Sequence, residues 1–244
     1  MSTMRPLPLA QLVVGVVAHR DLAPESRPQV EAAVREFLLG LRAAYPALPV
    51  AVMSALAEGG DRWVAHCALA LDMALIAPLP LPPAQYEADF ADAASRTEFA
   101  ALCAKAQVRV LPHAAGTDAG DRERQYARVG VFIASHCQLL LALWDGRPSE
   151  GLGGTADVVG FHLSGEMPGL PLDDAPPNLL AEDDSDLVFH LLCPRARDAA
   201  AGTCLQEAKT DRRDCSQTAV EGHQAAKDLC LARNHECVEV CRAD

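Results

Sequence analysis

Glycines, two carboxylates and an arginine stand between an apolar run and an amphipathic helical pattern in residues 53–71. The turn consists of Glu58, Gly59, Gly60, Asp61 and Arg62. Glycine lets a backbone approach a ligand closely, and the N-terminus of a helix attracts anions. We therefore predict that the glycines and the arginine contact a phosphate, while one of the two carboxylates holds ribose hydroxyls. The alternative interpretation is a helix-capping box with a surface arginine.

Two more turns of this kind follow apolar runs. His19 and Arg20 come directly after residues 12–18 and could contact a base or a phosphate. A glycine-rich turn follows residues 139–144, and its predicted ligand-binding residues are Asp145, Gly146, Gly153, Gly154 and Thr155. The last three would donate backbone and hydroxyl hydrogen bonds to a phosphate at a helix N-terminus, or else only cap that helix.

Short apolar strands alternate with helical patterns, which favours an α/β fold with a Rossmann-like, doubly wound and mostly parallel sheet of about six strands. The predicted strands are 12–18, 49–54, 73–79, 107–111, 138–144 and 187–193. Helices are predicted near 27–44, 61–71, 96–106, 122–136 and 154–163. Because the carboxyl ends of parallel strands share one edge of the sheet, we expect the three turns to converge on one crevice.

Prolines interrupt the pattern after the third predicted strand. Four of the six residues in 78–83 are prolines, which predicts an extended loop because proline lacks a backbone donor and fixes its own φ. Tyr86, Asp89 and Phe90 follow this loop. They could form a wall or lid over the ligand, or a surface helix with one packed aromatic side chain.

Length and composition bound the function. The chain has 244 residues, of which 50% are hydrophobic, and a formal net charge of -12. That charge repels phosphate polymers and anionic lipids, so a small ligand is favoured and a nucleic-acid partner is not. No apolar run approaches the roughly 20 residues of a membrane span, and prolines interrupt the apolar start of the chain. We expect a cytoplasmic protein without a membrane partner, a metal or a cofactor.

The end of the chain differs in composition. We predict a nucleotide-binding domain over 1–193, with an irregular excursion from 165 to 186, and a cysteine-rich helical tail over 194–244. Two cysteine pairs in the tail, 204 with 215 and 230 with 241, are each eleven residues apart, close to three helical turns. Two such helices could be joined by the disulfides Cys204–Cys241 and Cys215–Cys230. Reduced thiols, which a cytoplasmic location favours, and a small metal site remain as alternatives.

These motifs resemble known ones. Residues 54–69 look like the SGLAxGID…AH…AL turn of the DNA-processing protein family, and 151–155 are similar to the phosphate loop of the Lonely Guy (LOG) phosphoribohydrolases. Together with Gly15 and the His19 and Arg20 that follow the first strand, they suggest the SLOG superfamily of Rossmann-like nucleotide sensors. The resemblance implies binding of a nucleotide or an NAD- or ADP-ribose-derived signal, with Gly15 among the ligand-binding residues. It also implies a sensor role in a bacterial conflict system, an effector protein partner and a homodimer.

The resemblance is incomplete at the residue that matters for catalysis. The Lonely Guy loop ends in a glutamate, whereas Val158 stands three positions after the threonine here, and Asp157 is one position short. Without that carboxylate, we favour a sensor over an enzyme. The alternative is an N-glycosidase or phosphoribohydrolase whose catalytic carboxylate is Glu58, Asp61, Asp145 or Asp157. A second alternative is single-strand DNA binding, which the net charge disfavours.

Overall fold

Six parallel strands form the centre of the protein. The structure, a computed structural model, describes residues 10–112, 119–167, 169–170 and 187–197, together with the backbone of 206–211 and 234–239. The parallel strands are β1 (Leu12–Ala18), β2 (Val50–Met53), β3 (Ala74–Leu79), β4 (Gln107–Val110), β5 (Leu139–Trp144) and β6 (Leu187–Leu192). The predicted doubly wound α/β sheet is confirmed.

The strand order places a topological switch point beside β1. The order β4-β3-β2-β1-β5-β6 means that the chain builds outward in one direction from β1 and then returns to build in the other. Val14 of β1 accordingly has one partner on each side, Val52 of β2 and Leu139 of β5. Crossovers that leave β1 in opposite directions open a crevice at the carboxyl edge of such a sheet.

Helices cover both faces of the sheet. They are α1 (Arg27–Ala44), α2 (Gly60–Ala70), the short α3 (Pro83–Tyr86), α4 (Ala93–Cys103), α5 (Ala119–Ser135) and α6 (Thr155–Ser164). Alternate residues of β1 separate two cores: Val14 and Val16 pack with α1, α2 and α4, whereas Val13 and Val17 pack with α5 and α6. None of the helices in the described ranges has the length and apolarity to cross a bilayer.

Two of the differences from the sequence-based expectation have a clear physical cause. Helix α4 begins at residue 93 rather than 96 because the Asp92 carboxylate accepts a hydrogen bond from the Ser95 N–H and caps it. The predicted strand 73–79 and the predicted extended loop 78–83 overlap at residues 78 and 79, and the strand prediction is the correct one there: Pro78 belongs to β3 and pairs with Arg109 of β4. Ile76 O accepts from the Ser54 N–H, so two residues later Pro78 faces the same side, where β2 has already ended and no donor is needed.

The described parts of the tail are strands rather than helices. The strand β7 (Gln206–Asp211) pairs antiparallel with β6, and β8 (Asn234–Glu239) pairs antiparallel with β7. For these two segments the predicted helix is wrong, because pairing with the edge of β6 supplies backbone partners that the cysteine spacing could not indicate. The proposed disulfides Cys204–Cys241 and Cys215–Cys230, and residues 171–186 of the predicted excursion, lie outside the described residues.

Gly15 provides a test of the packing between the sheet and α5. A Cβ atom at this position would lie 2.6 Å from Cys137 Sγ and 2.9 Å from Ile133 Cγ2. We expect Gly15→Ala to lower the free energy of unfolding by about 1–3 kcal/mol in urea denaturation, because the added methyl overpacks the interface. The matched control is Gly40→Ala in α1, where nothing lies within 4 Å and the change should be neutral or stabilising. Equal stabilities of the Gly15→Ala variant and the unaltered protein would contradict this packing.

Candidate functional site

One crevice at the carboxyl edge of the sheet is lined by residues from all three of the turns singled out in the sequence. Its volume is about 390 Å³. The turn after β1 contributes residues 19–21, the turn after β2 contributes residues 55, 57 and 61, and the loop after β5 contributes residues 149–155. The segment after β3 adds Pro80 and Tyr86. The convergence expected from a parallel sheet is therefore present.

The glycines of the turn after β2 allow it to pack closely against the turn after β1. Gly59 has a φ of +81°, and a Cβ atom there would collide with the carbonyl oxygen of Arg20. The Gly60 N–H donates to His19 O at 3.2 Å, so the start of α2 is fixed against the turn after β1. The close backbone approach that we predicted is made to a neighbouring turn, and neither glycine lines the crevice.

Arg62 does not face the crevice, contrary to the predicted phosphate contact. Its side chain is only 2% exposed, and its Nε donates to Leu56 O at 3.1 Å. Its Nη1 donates to Ser95 Oγ at 2.8 Å and to Glu98 Oε2 at 3.0 Å, and the guanidinium lies 4.4 Å from the Phe90 ring centroid. Arg62 thus joins α2 to α4 as a structural residue. The first turn of α2 has one side that faces the crevice and another that packs against α4, and Arg62 lies on the second.

Glu58 holds Arg20 at the rim of the crevice. The Glu58 carboxylate accepts from Arg20 Nη2 at 3.1 Å and from the Ala91 N–H at 2.9 Å, and it also accepts from the Ser95 hydroxyl. Although partial burial opposes it, these hydrogen bonds and the positive charge of Arg20 keep the pKa of Glu58 below its usual value. Glu58 therefore positions a half-exposed arginine that itself lines the crevice.

Asp145 joins the ends of three strands. Its Oδ1 accepts from His19 Nε2 at 2.9 Å and from the Arg147 N–H at 3.0 Å, and its Oδ2 accepts from Arg195 Nε at 2.8 Å. Burial opposes ionisation, but the hydrogen bonds from His19 and Arg147 and the charges of His19 and Arg195 hold the pKa of Asp145 well below its usual range. We name these three side chains, His19, Asp145 and Arg195, the strand-end clamp.

Arg195 was missed at the sequence level. It is 8% exposed, lines the crevice and follows β6, which ends at the same edge of the sheet as the other turns. The signal was an arginine directly after Pro194 at the end of a predicted strand. The predicted domain ended at residue 193, so Arg195 was assigned to the tail and was not considered as a crevice residue.

The glycine-rich loop is held by its own side chains. The Leu152 N–H donates to Glu123 Oε1 at 2.8 Å, the Gly153 N–H to Asp157 Oδ2 at 3.0 Å, and the Asp157 N–H to Ser149 Oγ at 3.2 Å. Gly153 has a φ of +76°, and a Cβ atom there would collide with the backbone of α5. Asp157 therefore holds the loop, and it does not line the crevice, so it is not placed as a catalytic group in this conformation.

The first turn of α6 retains free donors. Thr155 lines the crevice and is 8% exposed. Within the described ranges, no acceptor satisfies the N–H groups of Thr155 and Ala156, and the Thr155 hydroxyl has no hydrogen-bond partner either. These donors and the positive end of the helix dipole can attract an anion.

Asp61 is a buried carboxyl group in the wall of the crevice. It is 4% exposed, and its Oδ2 accepts from the Ala57 N–H at 3.3 Å. Burial raises the pKa of Asp61 to about 7, against the hydrogen bonds from Ala57 and Ser54 and the charges of Arg20 and Arg62. Unlike Asp145, this carboxyl group has no cation in direct contact among the described residues.

Two tyrosines form another wall, which agrees with the interpretation of Tyr86 as part of a wall or lid. The Tyr86 ring packs edge-on against Phe90 at 5.0 Å and Phe99 at 5.5 Å between centroids. The Tyr126 hydroxyl donates a hydrogen bond to the Asp89 carboxylate, and Arg122 of α5 donates to the same carboxylate at 2.6 Å. The Tyr86 hydroxyl, in contrast, has no hydrogen-bond partner in the described part of the chain, and burial raises its pKa far above neutral.

The predicted site residues thus divide into two groups. Those that line the crevice are His19, Arg20, Asp61, Gly153, Gly154 and Thr155. Those that lie behind or beside it are Gly15, Glu58, Gly59, Gly60, Arg62, Asp145, Gly146 and Asp157. Across the residues that the structure describes, no group of three or more His, Cys, Asp or Glu side chains is arranged to hold a metal ion.

Comparisons with known proteins add one weak likeness. No protein-family model matches the chain, and no curated protein matches it. Among solved structures, the chain is similar to DNA processing protein A (DprA) from Streptococcus pneumoniae, with 17% sequence identity and a TM-score of 0.43. The match covers 78% of this chain and 61% of that one, so the chain spans about three fifths of the length of that protein. So low a TM-score establishes neither a shared fold nor a shared function, and the superfamily suggested by the motifs stays a prediction.

Proposed function

We propose that the crevice binds a small nucleotide-like molecule, namely a nucleotide or a derivative of NAD or ADP-ribose. The observation that carries the proposal is a set of polar groups on largely buried residues that line one cavity and have unfilled hydrogen-bonding capacity. They are the backbone N–H and the hydroxyl of Thr155, the hydroxyl of Tyr86, and the carboxyl group of Asp61. Buried polar groups normally have partners, so their convergence on one cavity supports a polar ligand.

A phosphate fits the end of the crevice beside α6. The N–H groups of Thr155 and Ala156 and the helix dipole favour an anion there. Since side chains already hold the glycine-rich loop in shape, little conformational entropy is lost on binding. Arg20, held by Glu58 at the rim, supplies a cation to the same cavity.

The size of the crevice suits a small molecule. About 390 Å³ lies within the usual range for small-ligand pockets, which is roughly 300–1,000 Å³. The formal net charge of -12 works against a long polyanion, while a single short anion can be held by local donors. The observations therefore support a mononucleotide-sized ligand more than a polymer.

One observation supports a second candidate function, cleavage of an N-glycosidic bond. A carboxyl group with a pKa near 7, such as Asp61, can donate or accept a proton at neutral pH. It stands in the crevice, whereas Asp145 is engaged by two side chains and Asp157 by the glycine-rich loop. Of the four carboxylates considered from the sequence, only Asp61 lines the crevice, which supports it as the candidate for this second function.

Ligand binding is tested by calorimetry and thermal unfolding with AMP, NAD and ADP-ribose. We expect at least one of them to bind, and a ligand at 100 times its Kd stabilises the folded state by about 2.7 kcal/mol. Thr155→Asp places a negative charge at the proposed phosphate position and should abolish binding. The variant should still fold, because a carboxylate is favourable at the N-terminus of a helix. Thr97→Asp, the same change at an exposed position of α4, should bind normally. Absence of binding for all three compounds would contradict the proposal.

Catalysis is tested by incubating the protein with the same compounds and measuring the released base by chromatography. If the second function is right, the unaltered protein releases base and Asp61→Asn reduces the rate by about 100-fold or more, since the amide cannot transfer a proton. Binding without release would leave the sensor function alone. Release at an unchanged rate by Asp61→Asn would exclude Asp61 as the acting group.

The burial of Asp61 also predicts a stability difference. Its pKa is about 7 in the folded state, whereas an unperturbed aspartate has a pKa of about 3.9, so the folded protein loses stability as the pH rises through this window. Asn does not titrate, so the stability of Asp61→Asn relative to the unaltered protein should rise between pH 4.5 and 8. In urea denaturation the gain should be a few kcal/mol, since each pKa unit corresponds to about 1.4 kcal/mol.

Asp145 is the contrasting variant. Its pKa is lowered in the folded state, so its contribution to stability is present above its ordinary pKa and is lost as the pH falls below it. Asp145→Asn should therefore be less stable than the unaltered protein at both pH 4.5 and pH 8. A loss of stability in both variants at pH 8 would show that Asp61 is not a strained group.

A further inference from the structure

A second polar region lies in the crevice away from the proposed phosphate position. Asp61 and Tyr86 are each only 4% exposed, and both line the cavity. The Tyr86 hydroxyl, which opens on the cavity, has no hydrogen-bond partner among the described residues, and Asp61 makes no direct contact with a cation there. Two buried polar side chains that share a cavity wall and lack full hydrogen bonding indicate a place for a polar group of the ligand.

The strand order separates this region from the start of α6. Asp61 lies in the first turn of α2, after β2, and Tyr86 lies in α3, after β3, whereas α6 follows β5, which is on the other side of β1. Neighbouring strands lie about 4.8 Å apart, so β2 and β5 are roughly 10 Å apart and β3 and β5 roughly 14 Å. A single phosphate cannot reach both regions, whereas a ligand with a ring attached to a phosphate through a sugar can.

The chemistry of the second region favours an uncharged ring. A carboxylic acid offers an O–H donor beside a C=O acceptor, and a phenol can donate and accept as well. A nucleobase presents a matching edge; adenine, for instance, has the N7 acceptor beside the N6 amino donor. A second anionic group is disfavoured here, because the only charge that Asp61 can carry is negative.

We propose that Asp61 and Tyr86 form a base-recognition subsite, in which Asp61 binds as a carboxylic acid and donates a hydrogen bond to a ring acceptor of a nucleoside monophosphate. This inference rests on the proposed function, since it concerns the same crevice. It adds the residues that select the base and a link between binding and protonation. Asp61→Asn keeps a donor beside an acceptor at the same position, so the variant imitates the protonated form at any pH.

Burial has a larger effect on the protonation of Asp61 than the charged and titratable groups around it. Arg20 from the turn after β1 and Arg62 on α2 both favour the carboxylate, and burial opposes them. Tyr86 from α3 and Tyr126 from α5 are uncharged at neutral pH, because burial raises both of their pKa values. His19 on the same rim is hydrogen-bonded to Asp145. The acid form of Asp61 therefore prevails at pH 6 and the carboxylate at pH 8.

The test is calorimetric titration of AMP and ribose 5-phosphate at pH 6 and pH 8. For the unaltered protein, AMP should bind about tenfold more weakly at pH 8, because the binding-competent acid form falls about tenfold. Ribose 5-phosphate lacks the base and should not lose affinity. Both ligands carry a phosphate with a second pKa near 6, so the comparison between them removes the ionisation of the phosphate itself.

Three variants complete the test. For Asp61→Asn, AMP affinity should change between pH 6 and pH 8 no more than ribose 5-phosphate affinity does, and Tyr86→Phe should weaken AMP severalfold without affecting ribose 5-phosphate. Asp72→Asn is the matched control: Asp72 is exposed, lies at the opposite end of α2, and has a φ of +56° that Asn tolerates. It should keep the tenfold pH dependence.

The outcomes separate the inference from the proposed function. AMP binding that is independent of pH, or an equal fall in affinity for ribose 5-phosphate, would overturn the base-recognition subsite and leave nucleotide binding in place. Failure of AMP and ribose 5-phosphate to bind at either pH would overturn nucleoside monophosphate binding and the subsite with it. Folding of each variant is checked by its unfolding transition, so that a loss of binding is not confused with a loss of structure.

Discussion

The strand-end clamp is the interaction on which the crevice depends. Asp145, at the end of β5, accepts hydrogen bonds from His19 after β1 and from Arg195 after β6. Parallel strands bring their ends to one edge of a sheet, but the turns beyond them are free to spread unless something connects them. A carboxylate satisfied on both oxygens connects them directly. The hydrogen bond from His19 to Asp145 also fixes the turn after β1, which carries Arg20 and against which the backbone of Gly59 packs.

Two buried carboxyl groups in this region have opposite energetics. Asp145 is stabilised as an anion by its partners, whereas Asp61 is desolvated without a cation in contact among the described residues. A group of the first kind holds a structure together. A group of the second kind costs stability in the absence of a ligand, and such strained groups concentrate at binding and catalytic sites. The contrast is why Asp61, rather than Asp145, is the centre of the functional proposals.

The fold was largely predictable because its signals are local. Alternating apolar runs and helical periodicity identified the strands of the parallel sheet, and Pro28 with the apolar face at Val30, Val34 and Leu38 marks α1 over 27–44 as observed. The sequence left Pro78 in both a predicted strand and a predicted loop, because its tolerance in β3 depends on where the neighbouring strand β2 ends. The strands of the tail were missed because they depend on the edge of β6, which no local pattern reveals.

The site was predictable in position but not in the direction of each side chain. Topology alone brings the three turns together, yet it does not say that Arg62 turns inward to Ser95 and Glu98 or that Asp157 caps the glycine-rich loop. The central claim is tested most directly by a crystal structure of the protein grown with AMP. We predict electron density in the crevice, with the phosphate at the N-terminus of α6 and the adenine ring against Asp61 and Tyr86. AMP bound elsewhere on the protein, with no density in the crevice, would contradict the account.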